Sequence, residues 1–237
     1  MRPGHVVAAV IGSLVGACGP NPSSANGSPP DTGGDDGWSV LFDGKSTEHL
    51  RAYGRDTFPS EGWAIDGDAL RTIDGQPVDL ISREAFSDFE LAFEWRVGPG
   101  ANGGLMYRVA ETPEPSWASG PEYQILDDAG HRDGLLPETS AAALYGLLAP
   151  PADKPLAPVG EYNEGRIVVG DGHVEHWLNG ERVVAYDWGS PAIRSRIAGS
   201  KFRDLPGFMA EDAGHIVLQH HGPDVWYRDV RIRRLGG

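Results

Sequence analysis

The segment Glu122-Tyr123-Gln124-Ile125-Leu126 carries a carboxylate and an amide at the spacing of a β-strand. Successive side chains of a strand point to opposite faces, so Tyr123 and Ile125 can enter a core while Glu122 and Gln124 point to solvent. A carboxylate and an amide on one face suit proton transfer or the binding of hydroxyl groups. An ordinary solvated strand face fits the same pattern equally well.

A second polar segment, Gln219-His220-His221-Gly222, follows the apolar run Ile216-Val217-Leu218. Alternation places Gln219 and His221 on one face and points the two adjacent histidines to opposite faces. A histidine exchanges a proton near neutral pH, which suits acid–base chemistry, although a histidine at a strand end often has a structural role. Because the two rings point apart, the pair is a poor two-ligand clamp for a metal ion.

Several common catalytic motifs are missing. The sequence has no HExxH, GxSxG or Walker motif, and its single cysteine, Cys18, lies near the N-terminus. Residues 98–103 (GPGANG) fit the letters of the dinucleotide fingerprint, but a strand-like segment follows them where a helix is needed. These observations argue against serine or cysteine hydrolases, classical zinc proteases and nucleotide binding. Polar faces rich in Glu, Asn, Gln, Arg, Tyr and Trp are typical of sugar binding.

The elements that must position these residues have the pattern of strands. Apolar and polar residues alternate from Phe89 to Val97, which predicts a strand with one buried face. Asn179-Gly180 and Asp66-Gly67 each lie between alternating runs, which predicts two hairpins. We expect His173 and His176, in the first of these hairpins, to be solvated. Helical periodicity is weak, and only residues 135–148 offer a short helical segment.

The composition agrees with a fold made of strands. The 237-residue chain has 33 glycines and 19 prolines, which suit turns better than helix interiors. About a dozen short strands in roughly 200 residues predict one all-β antiparallel sandwich or jelly roll, over residues 38–237. The net charge of −14 excludes the basic footprint of a protein that binds nucleic acid.

The first 37 residues have the pattern of a targeting segment and a linker. Residues 1–17 have a positive start and an apolar stretch too short to cross a bilayer, which predicts a signal peptide. The small residues before Cys18 resemble the lipobox of bacterial lipoproteins, in which the cysteine is acylated. Residues 18–37 then form a flexible tether. The sequence predicts a lipid-anchored protein of the bacterial cell envelope, periplasmic or at the cell surface, that contacts the membrane through this anchor. An ordinary signal peptide with an incidental cysteine is the alternative.

Eight short motifs occur in an order and spacing that resemble one known family. They are Leu41-Phe42-Asp43-Gly44-Lys45, Phe89-Glu90-Leu91 with Glu94 and Arg96-Val97, Asn102-Gly103-Gly104-Leu105, Glu122 to Asp127, Leu144-Tyr145-Gly146, Trp177-Leu178-Asn179-Gly180, Leu218-Gln219 with His221-Gly222, and Val225 to Val230. Over residues 38–235 the chain resembles the 3-keto-disaccharide hydrolases. The resemblance implies a concanavalin-like jelly roll of two curved antiparallel sheets, with the site on the concave face.

The same resemblance implies a carbohydrate substrate, a glycoside already oxidised at C3. A ketone at C3 acidifies the hydrogen on C2, so the aglycone can leave by elimination and water can add later. The candidate acid–base pair is Glu122 and His221. Glu94 is a further catalytic carboxylate, or a ligand if a divalent cation is used, and the cofactor stays open.

Six further residues are candidates for holding hydroxyl groups or the keto oxygen: Gln124, Asn102, Arg108, Tyr145, Lys154 and Gln219. We expect Glu94, Glu122, Gln124 and Gln219 to share the concave sheet. Two other interpretations remain: a lectin-like carbohydrate-binding domain without catalysis, and a surface interaction domain.

Overall fold

The computed structural model describes Met1 and residues 37–236. The predictions of a signal peptide, an acylated Cys18 and a tether lie outside the described residues, except for Met1 and the tether's last residue, Gly37. The described part contains thirteen strands: β1 (Ser39–Phe42), β2 (Leu50–Ala52), β3 (Trp63–Asp66), β4 (Ala69–Thr72), β5 (Leu80–Phe86), β6 (Phe89–Val97), β7 (Asn102–Val109), β8 (Glu122–Leu126), β9 (Asn163–Gly170), β10 (His173–Leu178), β11 (Glu181–Asp187), β12 (Gly214–Leu218) and β13 (Val225–Arg234).

The strands form two antiparallel sheets. The larger sheet has the order β11-β10-β9-β6-β13-β4-β3, with β1 also paired to β13. The smaller sheet has the order β2-β5-β12-β7-β8. Every pairing between named strands is antiparallel, and most neighbours are distant in sequence. The predicted all-β jelly-roll sandwich is confirmed.

The core lies between the two sheets and comes from the predicted alternation. On β6, Phe89, Leu91, Phe93, Trp95 and Val97 are buried and face the smaller sheet, and the intervening residues face outward. On β8, Tyr123 and Ile125 are fully buried, as predicted. The rings of Phe93 and Tyr123 meet edge to face across the sandwich, with 5.3 Å between centroids.

Both predicted hairpins are present. β10 and β11 are joined by Asn179 and Gly180, whose φ angles of 47° and 84° are the positive values that a two-residue hairpin turn requires. β3 and β4 are joined through Gly67, which also has a positive φ. The run 98–101 is a turn between β6 and β7, so its dinucleotide-like letters have no helix behind them.

The expectation that His176 is solvated is wrong. His176 shares the inward face of β10 with Val174 and Leu178, and it is fully buried. Its ring contacts the Tyr107 hydroxyl at 2.8 Å and the Ala142 carbonyl at 3.2 Å. Burial lowers the pKa of His176 to about 4, so the ring is neutral and belongs to the core.

The helical elements differ from the sequence expectation. Residues 135–148 form no α-helix; the region has two 3₁₀ turns, Arg132–Leu135 and Pro137–Thr139, followed by an irregular segment. The one α-helix of the described residues, α1 (Pro191–Ala198), has Ser190 as its N-cap and proline at its first position. None of the described helices is long and apolar enough to cross a membrane.

Candidate active site

The site is built on the outer face of the smaller sheet, where β7 and β8 pair. Glu122 on β8 is paired with Met106 of β7, and its carboxyl group lies over Gly104. A Cβ atom at position 104 would collide with that carboxyl group, so only glycine leaves it room. From the core side, the Tyr227 hydroxyl bonds the carbonyls of Gly104 and Gln219, each at 3.1 Å. The backbone of Gly104 and Gln219 is therefore fixed from the core side of the sheet by one hydroxyl group.

Glu122 is a buried carboxyl group without a partner. It is 9% exposed, and it forms no side-chain hydrogen bond or ion pair with any described residue. Burial raises the pKa of Glu122 to about 8, with smaller contributions from Asp79 and Asp133, while the charge of Lys201 opposes the rise. Glu122 therefore carries a proton at neutral pH and can act as a general acid.

The predicted solvent exposure of Glu122 and Gln124 is wrong, although their common face is right. Residues 142–145 continue the sheet beside β8: Ala142 N donates to the Gln124 carbonyl, and Tyr145 N to the Glu122 carbonyl at 3.0 Å. The Gln124 amide is already satisfied, because Nε2 donates to the Thr139 carbonyl and Oε1 accepts from Ile125 N. Gln124 thus helps to attach residues 139–145 to the sheet.

His221 reaches the same face from the end of β12. Its Nδ1 lies 3.1 Å from Asn102 Nδ2 on β7. Asn102 and Gly104 are two residues apart on one strand face, so the points where His221 and Glu122 contact β7 are about 7 Å apart. Partial burial is the largest cause that lowers the pKa of His221, followed by the charge of His131. His221 is therefore neutral at pH 7, and its outer side is exposed.

The neighbouring residues fix the end of β12. Asp79 accepts a hydrogen bond from His220 N at 2.8 Å and another from the Ser116 hydroxyl. The His220 ring points inward, contacts the Ile73 carbonyl at 3.0 Å and meets Trp63 edge to face. The two histidines therefore point apart, as predicted, with the His220 ring held in structural contacts and the His221 ring beside Asn102.

Tyr145 stands beside this pair together with two residues that the sequence did not reveal. The Tyr145 hydroxyl donates to Asp133 Oδ2 at 3.3 Å, and burial raises its pKa to about 12. Lys201 Nζ lies 4.2 Å from the centroid of the Tyr145 ring and forms no ion pair with a described carboxylate. Lys201 and Asp133 both interact electrostatically with Glu122 and His221. Asp133 lies in a short 3₁₀ turn and Lys201 in an irregular segment, and neither stretch has a periodicity or a motif, so no sequence signal points to these two residues.

Two amide oxygens complete the face. Asn102 Oδ1 and Gln219 Oε1 are buried and have no hydrogen-bond partner. A buried unsatisfied acceptor costs free energy, so such atoms are typical of sites that complete their bonding with a ligand. Both residues can accept hydrogen bonds from sugar hydroxyl groups.

The structure does not bring Glu94 to this face, so the prediction that it shares a sheet with Glu122 is wrong. Glu94 lies on β6 in the larger sheet and accepts a hydrogen bond from Arg228 Nε at 2.6 Å. No group of three or more His, Cys, Asp or Glu side chains that could hold a metal ion occurs among the described residues.

Arg108 and Lys154 also have other partners. Arg108 has a φ of 49° at a bulge of β7, and its guanidinium bonds the Ser87 carbonyl and stacks on Trp188. Lys154 Nζ lies 2.7 Å from Asp128 Oδ2 and also donates to a serine hydroxyl. Both cations are buried in these contacts and hold loops in place.

The fold is a jelly roll, and the Glu122 carboxyl group and the His221 imidazole lie on one face of its smaller sheet. Residues 37–233 match the model of the 3-keto-alpha-glucoside-1,2-lyase-like domain. The chain belongs to this family, and its function is glycoside hydrolase-like.

Individual relatives agree with the family. A protein of Bacteroides thetaiotaomicron named 3-keto-disaccharide hydrolase is 32% identical over 231 residues, covering 84% of this chain and 79% of the relative. Two crystal structures of candidate glycosyl hydrolases from Parabacteroides distasonis are also similar. The first has a TM-score of 0.78 and 27% identity, covering 84% of this chain and 94% of that chain. The second has a TM-score of 0.64 and 25% identity, covering 84% and 99%.

Proposed function

We propose that this protein cleaves 3-keto-glycosides by removing the C2 proton and eliminating the aglycone, with later hydration giving net hydrolysis. The observation that carries the proposal is one pair of groups on one sheet face. Burial keeps the Glu122 carboxyl group protonated at neutral pH and keeps the His221 imidazole neutral. Two groups whose pKa values are displaced in opposite directions can serve as acid and base at the same pH.

In the first step His221 acts as the base. It takes the C2 proton, and the electron pair of the C2–H bond moves toward C3 to give an enolate oxygen. Positive charge near that oxygen stabilises the transition state. Lys201 supplies it, because its ammonium group interacts with both His221 and Glu122 and has no carboxylate bound to it.

In the second step Glu122 acts as the acid. The enolate electrons re-form the C3 ketone, a C1–C2 double bond forms, the C1–O bond breaks, and Glu122 donates its proton to the departing oxygen. In the hydration that follows, the oxygen of water adds to C1 while water gives a proton to the Glu122 carboxylate, and the imidazolium of His221 returns a proton to C2, which yields the free 3-keto sugar and restores both groups. The unpartnered oxygens of Asn102 and Gln219 would accept hydrogen bonds from hydroxyl groups of the ring.

The family adds support from a second direction. The family description names a 3-keto-alpha-glucoside-1,2-lyase-like domain, and the Bacteroides relative is named a 3-keto-disaccharide hydrolase. Elimination alone would be a lyase reaction, and elimination followed by hydration would be hydrolysis, so the proposed mechanism includes both outcomes.

The test compares a 3-keto-disaccharide with its unoxidised parent, each with and without a chelator. We expect cleavage of the keto substrate only, with solvent deuterium entering C2 in D₂O. Equal cleavage of both substrates would remove the elimination mechanism. Binding of the disaccharides without cleavage would support the lectin-like alternative. Loss of activity in chelator would show that a divalent cation takes part.

We also propose that Cys18 is acylated and anchors the protein in the bacterial cell envelope. The support is the sequence: the one cysteine of the chain follows a short apolar stretch and a group of small residues. Cys18→Ser should move the protein from the membrane fraction to the soluble fraction with its activity unchanged. A free thiol in a soluble wild-type protein would contradict the anchor.

A further inference from the structure

One exposed aromatic ring borders the candidate site. Among the described residues the exposed large hydrophobic side chains are Met1, Val40, Ile65, Trp117, Leu135, Leu136 and Val159, and Trp117 is the aromatic member of this set. Trp117 is 42% exposed, and it lies outside the hydrophobic core clusters. Aromatic side chains are common in the lining of ligand sites, beside a small number of polar groups.

The backbone that carries Trp117 is fixed to the site. Trp117 is the middle residue of the 3₁₀ turn Ser116–Ala118. The Ser116 hydroxyl bonds Asp79, which also accepts a hydrogen bond from the backbone of His220. The turn is therefore tied to the strand end that positions His221. Ala118 N donates to the Pro115 carbonyl at 2.9 Å, so the indole stands on an ordered support.

Lys201 connects the indole with the rest of the site. Its Nζ lies 5.9 Å from the centroid of the Trp117 ring and 4.2 Å from the centroid of the Tyr145 ring. Tyr145 in turn is bonded through its backbone N to the Glu122 carbonyl. Proceeding outward from Glu122, the order of contacts is therefore Tyr145, Lys201 and Trp117.

Two further exposed apolar side chains lie on a neighbouring segment. Leu135 and Leu136 are 75% and 60% exposed. They follow Asp133, which accepts a hydrogen bond from the Tyr145 hydroxyl. The segments that supply Asp133 and Trp117 to the surroundings of the site thus both present apolar surface to solvent.

We propose that Trp117 forms the leaving-group subsite and stacks on the ring of the aglycone, a pyranose or an aryl group. The inference rests on the proposed function. In that function the keto sugar contacts Glu122, His221 and Lys201. The aglycone is the part of the glycoside that extends past this sugar, toward Trp117. An indole face is complementary to the C–H face of a pyranose, and aromatic contact of this kind contributes beyond the area buried.

The experiment uses two substrates that differ only in the leaving group: methyl 3-keto-glucoside, which has no ring to stack, and a 3-keto-disaccharide of glucose. Trp117→Ala should lower kcat/KM for the disaccharide about tenfold and for the methyl glycoside less than twofold. Trp117→Phe should recover most of the loss, because it keeps a ring. Ile65→Ala, an exposed apolar residue on the other sheet, is the matched control and should behave as wild type with both substrates.

A binding measurement separates this inference from the proposed reaction. Calorimetric titration with the unoxidised disaccharide should give an affinity about tenfold weaker for Trp117→Ala than for wild type, whether or not any substrate is cleaved. If wild type cleaves neither keto substrate, the proposed function fails while this titration still tests the subsite. Equal losses on the two substrates, unchanged disaccharide affinity, or no recovery in Trp117→Phe would each overturn the subsite.

Discussion

The outer faces of the two sheets carry similar polar side chains but differ in how those side chains are satisfied. On the larger sheet Glu94 is paired with Arg228, and Glu90 with both Arg166 and Arg233. Three arginine Nε atoms on that sheet lack a hydrogen bond, but each guanidinium lies over an aromatic ring. On the smaller sheet the Glu122 carboxyl group has no described partner, and two buried amide oxygens have none either.

This difference separates polar groups that stabilise the fold from groups that are kept ready for a ligand. A buried polar atom without a partner lowers stability, so its presence is expected where a substrate supplies the missing contacts. A carboxylate paired with a guanidinium has no free capacity of that kind. Glu94 and Glu122 therefore differ in environment although both alternate with core residues along a strand.

The largest expected difference between the two sheets appears when Glu122 and Glu94 are each replaced in separate variants. Glu122→Gln should lower kcat about 100-fold or more, because a glutamine cannot donate a proton to the leaving oxygen, and His221→Ala should have a loss of similar size. Glu94→Gln is the matched control, and it should keep turnover within about twofold of wild type. Steady-state kinetics on a 3-keto-disaccharide measure all three. Wild-type turnover in Glu122→Gln would remove the site assignment, and a large loss in Glu94→Gln would place chemistry on the other sheet.

The Glu122→Gln variant, although it loses turnover, should be more stable to unfolding than wild type at neutral and alkaline pH. Folding raises the pKa of Glu122 from 4.5 to about 8, so between these values the folded protein holds a proton that the unfolded chain has released. Stability therefore falls as pH rises through this window. Glu122→Gln removes the effect and should be more stable than wild type at pH 8, by up to about 4 kcal/mol, with little difference at pH 4.5.

Urea denaturation at several pH values measures this difference. Glu94→Gln breaks a partly exposed ion pair instead, and should be less stable than wild type by about 1 kcal/mol or less. A Glu122→Gln variant that is less stable than wild type at pH 8 would show that the carboxyl group has a partner in solution.

The sequence predicted the faces of the strands but not the neighbours of those faces. Alternation correctly placed Tyr123 and Ile125 in the core and Glu122 on the opposite face, because that pattern is local. It could not assign Glu94 to a sheet, since β6 pairs with β9 and β13, which are distant in the chain. Strand order is decided by long-range packing that no single strand encodes.

Local irregularities hid other parts of the site. Arg108 has a positive φ at a bulge of β7. The alternation that would place its side chain on the same face as Gly104 and Glu122 therefore fails there. Lys201 follows α1 in an irregular segment, and its position depends on contacts with the rings of Tyr145 and Phe202. Neither the bulge at Arg108 nor the segment that carries Lys201 has a periodic sequence pattern from which its geometry could be predicted.

The pH dependence of catalysis should show both members of the pair. Activity needs His221 neutral and Glu122 protonated, so kcat/KM should rise with pH through the lowered pKa of His221 and fall tenfold per unit above about 8, the pKa of Glu122. Glu122→Gln should lose the alkaline limb while keeping the acidic one. A profile that rises through about pH 8 to a plateau, instead of falling, would reverse the assignment and make Glu122 the base.

The smallest and most local comparison uses two adjacent glycines that face opposite sides of the same sheet. Gly104 faces Glu122, and Gly103 faces the core, where an added Cβ would lie 2.8 Å from the Tyr227 hydroxyl. Gly104→Ala should push the Glu122 carboxyl group away from its place and lower kcat about tenfold, since small displacements of an acid from its substrate slow proton transfer. Gly103→Ala should instead strain the core and lower stability by about 1–3 kcal/mol.

Kinetics and thermal unfolding of the two variants distinguish these outcomes. Gly104→Ala should lower kcat more, relative to its loss of melting temperature, than Gly103→Ala does. The reason is that the Glu122 side chain is the first group that the new methyl group meets. In Gly103→Ala the protein that remains folded should keep most of its turnover, since the change lies on the core side. If both variants lose stability equally and neither loses turnover, the space above Gly104 is not what positions the acid. The position of the Glu122 carboxyl group would then have to be fixed by residues 139–145 alone.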